Sequence, residues 1–263
     1  MFAHRTTRRL GAFAAAFLLL ATAAPSEAHH AGSAPGPVNA QTTFGWGKPI
    51  WQDDFVGGLK PIWKKTGRGT VRTQNGMLTL NTTRSGSISA TLARQGAKTG
   101  RWEIRLRSRR YSTSAANYTV RTELVPVPAV ENHCGARNIV FEGYRLGTNT
   151  ANLHIRNLPN RSFDAKTPGM NLGNDRWHTF GVEVTGSRIS WYVDAHVLRT
   201  EKRPEALSGV PFTVKFTMAA VPGKVMNQSR MQMDWLRQYD LSHHNTKSTD
   251  APMTTAGTFA GAC

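Results

Sequence analysis

Carboxylates are scarce in this chain: 16 Asp and Glu stand against 33 Lys and Arg. Three of them, Glu123, Glu131 and Glu142, fall in one stretch that also holds Arg121, His133, Arg137 and Asn138. Two carboxyl groups flanking an acetal carbon can break its C–O bond. About 5 Å apart, one attacks as nucleophile while the other protonates the leaving oxygen; at about 6.5–9.5 Å, one activates a water instead. Glu142 is the candidate acid/base and Glu123 the second carboxylate, with Glu131 or His133 as further groups that could activate a water. Asn138, Arg137, Arg121 and His133 are the candidate substrate-binding side chains. The competing role for each carboxylate is an ion pair: Glu123 with Arg121, and Glu142 with Arg137 or Arg145.

The elements that must position these groups read as strands. Apolar and polar residues alternate at Trp102, Ile104 and Leu106 against Glu103, Arg105 and Arg107. Similar short runs cover 77–82, 118–126, 138–144, 151–156, 178–184, 189–193, 214–220 and 231–239, split by Gly, Pro and Asn. Period-two runs between turn signals predict antiparallel sheets, and no amphipathic helix of three turns is visible. Many short strands in one long domain predict an all-β sandwich of the jelly-roll kind.

The ends differ in composition. Arg5, Arg8 and Arg9, an apolar run over 10–21 and small-residue cleavage patterns predict a signal peptide over 1–28 and a secreted protein. Residues 29–48 read as a flexible linker, 49–242 as the domain and 243–263 as a flexible tail. No later run is apolar enough to span a bilayer. Cys134 and Cys263 are the only cysteines, and export favours a disulfide between them over two free thiols. Nothing calls for a cofactor. The pairs His29-His30 and His243-His244 lack the partners a metal needs, and no Asp/Asn cluster suits calcium. A monomer is expected.

The formal charge is +17, and losing three arginines and one glutamate with residues 1–28 leaves +15. That excess points to anionic partners, such as an acidic or wall-associated polysaccharide. The basic residues are scattered and no nucleic-acid-binding motif accompanies them.

Several segments in order resemble glycoside hydrolase family 16: Trp51-Gln52-Asp53-Asp54-Phe55, Gly100-Arg101-Trp102-Glu103, Trp177-His178-Thr179-Phe180, Trp191-Tyr192-Val193-Asp194 and Asp234-Trp235-Leu236-Arg237. The resemblance covers about residues 50–240. It implies a jelly roll whose concave sheet cradles a polysaccharide. In that family the chemistry sits on one strand, as E-x-D-x-E or E-x-D-x-x-E. The matching strand here begins Asn138-Ile139-Val140-Phe141-Glu142-Gly143. Regular alternation puts Asn138 and Val140 in the first two carboxylate positions and Glu142 in the third; a bulged reading ending at Glu142 puts Arg137 and Ile139 there. Either way two of three carboxylates are missing, which implies recognition of a polysaccharide with lost or reduced hydrolysis. The alternative is an endo-β-glycosidase with Glu142 as acid/base and a non-standard partner. His178, Trp177 and Trp191 are expected to serve packing rather than chemistry, and Asp194 a turn.

If the leader is real, the secreted protein starts at or soon after Ala24 or His29; Edman sequencing of culture supernatant reading from Met1 would exclude cleavage.

Overall fold

The structure is a computed structural model that describes residues 38–127 and 137–260. Among these, the strands are β1 (Trp51–Asp53), β2 (Trp63–Gly67), β3 (Thr70–Gln74), β4 (Met77–Asn81), β5 (Ile88–Leu92), β6 (Gly100–Arg110), β7 (Thr119–Pro126) and β8 (Asn138–Arg145). They continue as β9 (Ala151–Asn157), β10 (Arg161–Thr167), β11 (His178–Val184), β12 (Ile189–Val193), β13 (His196–Glu201), β14 (Phe212–Ala219), β15 (Ser229–Tyr239) and β16 (Thr255–Thr258). One short helix, α1 (Ala40–Phe44), precedes them.

The strands form two antiparallel sheets of eight. Sheet I runs β13-β12-β11-β6-β15-β4-β3, with β1 also on β15. Sheet II runs β16-β10-β9-β8-β7-β14-β5-β2. Both sheets turn their apolar residues inward. Trp102, Ile104, Leu106, Val182 and Trp191 from sheet I meet Leu124, Phe141, Leu153, Phe163 and Phe216 from sheet II in one buried core. The alternation read from the sequence is this inward face, and the nine runs named there all correspond to strands.

The longest strands, β6 and β15, have 11 residues each and pair at the centre of sheet I. Polar links also cross the sandwich. The hydroxyls of Tyr144 in β8 and Ser108 in β6 are 2.6 Å apart, and both are buried.

The expected linker is structured from Val38 on. Asn39 caps α1 by accepting from the Thr42 amide at 2.8 Å, and Gly45 ends the helix at φ 69°. Ala40, Phe44 and Trp46 are buried against Tyr192 and Tyr239 on the outer face of sheet I. The Ala and Thr content hid two large apolar side chains that outweigh it. The expected tail is also structured, from 243 to 260. Asn245 accepts from the Trp46 indole at 2.7 Å and donates to Glu183 at 2.8 Å. Thr200 in β13 donates to the Thr249 carbonyl, and β16 pairs with β10. This strap closes an edge of each sheet, the usual remedy for exposed strand groups. Residues 1–37, Cys134 and Cys263 lie outside the described residues, so the leader and disulfide expectations do too. Among the described residues no helix is long and apolar enough to cross a membrane.

The N-terminal segment docks on a carboxyl. Glu103 in β6 is buried and accepts from the Ala40 amide at 2.5 Å and the Gln41 amide at 3.4 Å. Burial pushes its pKa up to about 7, against the pull of those amides and of Arg237. A carboxyl whose pKa rises on folding is held protonated by the folded chain. Its stabilising contribution is full below about pH 4.5 and is lost as the pH climbs through about 7. Glu103→Gln should therefore flatten the pH dependence of unfolding free energy over that window by about 3 kcal/mol. Urea unfolding at several pH values measures this; an unchanged slope means Glu103 titrates alike in both states.

Candidate functional site

The outer face of sheet II is built by strand register. One row of paired positions crosses the whole sheet: Lys64 on β2, Thr91 on β5, Lys215 on β14, Glu123 on β7, Val140 on β8, His154 on β9, Asp164 on β10 and Thr255 on β16. The neighbouring rows carry Arg121, Gly143, Asn152 and Lys166 on one side and Asn138, Arg156 and Ser162 on the other. These side chains point away from the core because their strand neighbours Val120, Leu124, Ile139, Leu153, Ile155 and Phe216 point into it.

Strand β8 carries one extra residue. Val140 lies opposite Glu123 and His154, while Gly143 lies opposite Arg121 and Asn152. Phe141 and Glu142 together face the space of one residue on β9, which is a β-bulge. The bulge changes which side chains face out. Asn138, Val140 and Gly143 do so, at spacing i, i+2, i+5. Phe141 and Tyr144 join the core and Glu142 lies opposite the inward Thr122; Asn138, Val140 and Gly143 are buried as well but outside that core. The freed Val140 carbonyl accepts from the Trp191 indole N–H of β12 at 2.9 Å, across the core. Trp191 is thus a core residue with a defined polar task.

Glu142 is fully buried beside Thr122, and among the described residues neither of its carboxyl oxygens has a hydrogen-bond partner of good geometry. Burial holds its pKa well above the ordinary carboxyl value, and the nearby Glu123 charge adds to the rise. Strict alternation would have turned Glu142 outward; the extra residue turns it inward. The bulged reading that ends at Glu142 also fails, because the outward triplet starts at Asn138 and ends at Gly143.

Glu123 does lie on the outer face. It accepts from Asn138 Nδ2 at 3.0 Å and sits 3.9 Å from Lys215 Nζ. Its partners are therefore Asn138 and Lys215 rather than Arg121. Arg121 makes no ion pair with any described residue and lies near His154. Arg137 precedes the row at φ 60°. Glu131 and His133 lie outside the described residues.

Three residues of the face had no sequence signal of their own. His154 stands opposite Val140, and Arg156 pairs with Asp164 at 2.8 Å. Lys215 stands opposite Glu123. Burial holds the His154 imidazole down at about 3, helped by the Arg156 and Arg121 charges and opposed by Asp164. Alternation along 151–156 and 214–220 gave the phase of these strands, but not their neighbours. Across the three rows, Lys64, Lys215, Arg121, Arg156 and Lys166 face the carboxylates Glu123 and Asp164.

None of the seven tryptophans stands on this face. Trp63, Trp102 and Trp191 are in the core. Trp51 is on β1 of sheet I and Trp235 on β15. Trp46 packs on Tyr192 and Tyr239, and Trp177 lies under Arg105 and Arg107. His178 and Asp194 pair at 2.8 Å on sheet I. Asp194 also accepts from the Thr179 amide, so it fixes a turn at φ 45°.

The pattern of glycosyl hydrolases family 16 matches residues 60–237. The chain belongs to that family. Solved structures similar to it include an endo-β-1,3-glucanase from Pyrococcus furiosus, at 14% identity and TM-score 0.59, over 73% of this chain and 94% of that one. The laminarinase from Rhodothermus marinus matches at 13% and 0.58, over 73% and 97%. The endo-1,3-β-glucanase catalytic domain from Thermotoga petrophila matches at 15% and 0.58, over 74% and 98%. These likenesses establish the family 16 jelly roll. No curated protein sequence matches the chain.

The Trp191 bond sets one expectation. Trp191→Phe keeps most of the ring but leaves the Val140 carbonyl buried without a donor. It should cost about 1–3 kcal/mol in urea unfolding; a loss below about 0.5 kcal/mol would mean that the bulge is held by the β7 and β9 pairings alone.

Proposed function

We propose that this chain is an exported, polysaccharide-recognising member of family 16 that has lost the two-carboxylate hydrolysis and takes an anionic polymer. The observation that carries the reading is the outward triplet Asn138, Val140 and Gly143. Its spacing is that of E-x-D-x-x-E, with an amide, an alkyl group and a hydrogen in place of three carboxyls. Retaining hydrolysis needs two carboxyl groups about 5 Å apart on the substrate side. Of the two carboxylates in the outward rows, Glu123 is held by Asn138 and Lys215, and Asp164 by Arg156. Glu142, the acid of the rival hydrolase reading, has no exposed surface from which to protonate a glycosidic oxygen.

The ligand class follows from charge: no tryptophan stands on this face, and the Phe259 ring lies 5.7 Å from the Arg156 guanidinium, which it already engages. Several of the similar structures are named as β-1,3-glucanases or laminarinases, and a neutral glucan is usually gripped by ring stacking on aromatic faces. Here five cations line the face instead, which suits carboxylates or sulfate esters spaced along a chain. Lys64 and Lys166 are exposed and the other three half-buried, and solvent-accessible cations bind with marked salt dependence.

Affinity electrophoresis in gels carrying acidic or neutral polysaccharides tests the reading. Retardation is expected in acidic gels alone, weaker with added salt. The double variant Arg121→Glu/Lys215→Glu should weaken it at least tenfold, and Glu142→Gln should leave it unchanged. Release of reducing ends from β-1,3-glucan that disappears in Glu142→Gln would overturn the proposal in favour of a hydrolase.

A further inference from the structure

The outer face of sheet II lacks a carboxylate pair, yet it holds the groups for another way of breaking a glycosidic bond. We propose that it cleaves a 1,4-linked polyuronate by β-elimination, with His154 as the base and Arg121 and Arg156 as the carboxylate clamp. The proposal rests on the reading that this face binds an acidic polysaccharide.

The reaction needs a uronate whose C5 proton is acidified by its own carboxylate. Two things make that proton removable: cations that neutralise the carboxylate, and an unprotonated base next to them. His154 lies mid-row, between Val140 and Asp164. Val140 is an alkyl group and offers it no hydrogen bond. Arg156 follows two residues along the same strand and face, and Arg121 is close enough to act on the imidazole electrostatically. Gly143, between Arg121 and Asn152 in register, presents no side chain beside Arg121. Arg121 has no carboxylate of its own among the described residues, whereas Arg156 keeps Asp164. The clamp thus has one committed cation and one uncommitted one.

In the step, His154 removes the C5 proton, and the C5–H electron pair becomes the C4=C5 double bond. The C4–O glycosidic bond breaks, and its pair leaves on the oxygen of the departing sugar. The imidazolium then gives that oxygen the proton. One polymer becomes two chains, one ending in an unsaturated uronate, with no water, oxidant or cofactor consumed. Burial first, and then the Arg156 and Arg121 charges, hold His154 unprotonated, while Asp164 opposes them. A substrate carboxylate between the arginines offsets their field, so the imidazole gains basicity as the uronate binds.

The test incubates the full chain with polygalacturonate and follows two signals, reducing ends and the ultraviolet absorbance of the conjugated double bond. Both should rise together. His154→Gln should remove both, at least a hundredfold, while leaving retardation by the polymer in gels intact. If that variant fails to fold, carboxyl-reduced polygalacturonate serves instead, since it lacks the acidifying group and should give neither signal with the unaltered chain. Reducing ends without absorbance mean hydrolysis and overturn the proposal. Binding of polygalacturonate without product overturns elimination but leaves the recognition reading standing. Binding confined to a sulfated glycan such as heparin does the same. No binding to any acidic polymer removes both.

Discussion

The hydrogen bond from the Trp191 indole to the Val140 carbonyl fixes what the outer face of sheet II can be. A β-bulge leaves a backbone group out of its ladder, and inside a sandwich such a group needs a partner. Trp191 supplies it from the opposite sheet. With the bulge held there, Gly143 faces out and Glu142 faces in. The face therefore takes its chemistry from neighbouring strands rather than from β8. It is a cationic surface around one imidazole, with its carboxylates tied to an amide, a lysine and an arginine.

Burial treats the acidic groups of this protein in two ways. On the outer face, Glu123 and Asp164 meet cations or amide donors. Glu183, on sheet I, is buried between Arg101 and Arg188, at 2.6 and 2.8 Å. Glu103 and Glu142 lack such close cations and carry raised pKa values as a result. A buried carboxyl without a cation is held near neutrality by its environment, so it costs the fold more as the pH rises. The family's usual site would add further carboxyls to the same sheet, in a protein whose surface charge already favours anions.

Much of the fold was legible because the core imposes period two on every long strand. The runs around Trp102, Val182, Trp191 and Leu236 announce their inward faces. Short or edge strands were not legible. β2 (Trp63–Gly67) buries Trp63 alone, and β16 is exposed throughout, so neither shows alternation. The segments at either end misled for a related reason. Composition over 29–48 and 243–263 is small and polar, but Phe44, Trp46 and Asn245 anchor those segments at single points. At the site, alternation put Asn138 and Val140 on one face, as the pairing has them, while Glu123 was singled out through its strand's place in the family rather than by alternation. It failed at Glu142 because a bulge adds one residue without a local signature, and its stabilising tryptophan lies about 50 positions away. His154 and Lys215 join the site only through pairing, which a single sequence does not display.

The pairing of β6 with β15 has a further consequence. These strands form the centre of sheet I but are separated by more than a hundred residues. Eight of the sixteen described strands, β7 to β14, are made between them. A chain emerging from a ribosome or a translocation channel therefore lacks its central ladder until Tyr239 is free, and the strap that seals the edges comes later still. Topologies of this kind close slowly because distant segments must meet before contacts accumulate. During that interval the arginine-rich β6 has only β11 as a strand partner, and its other edge stays open.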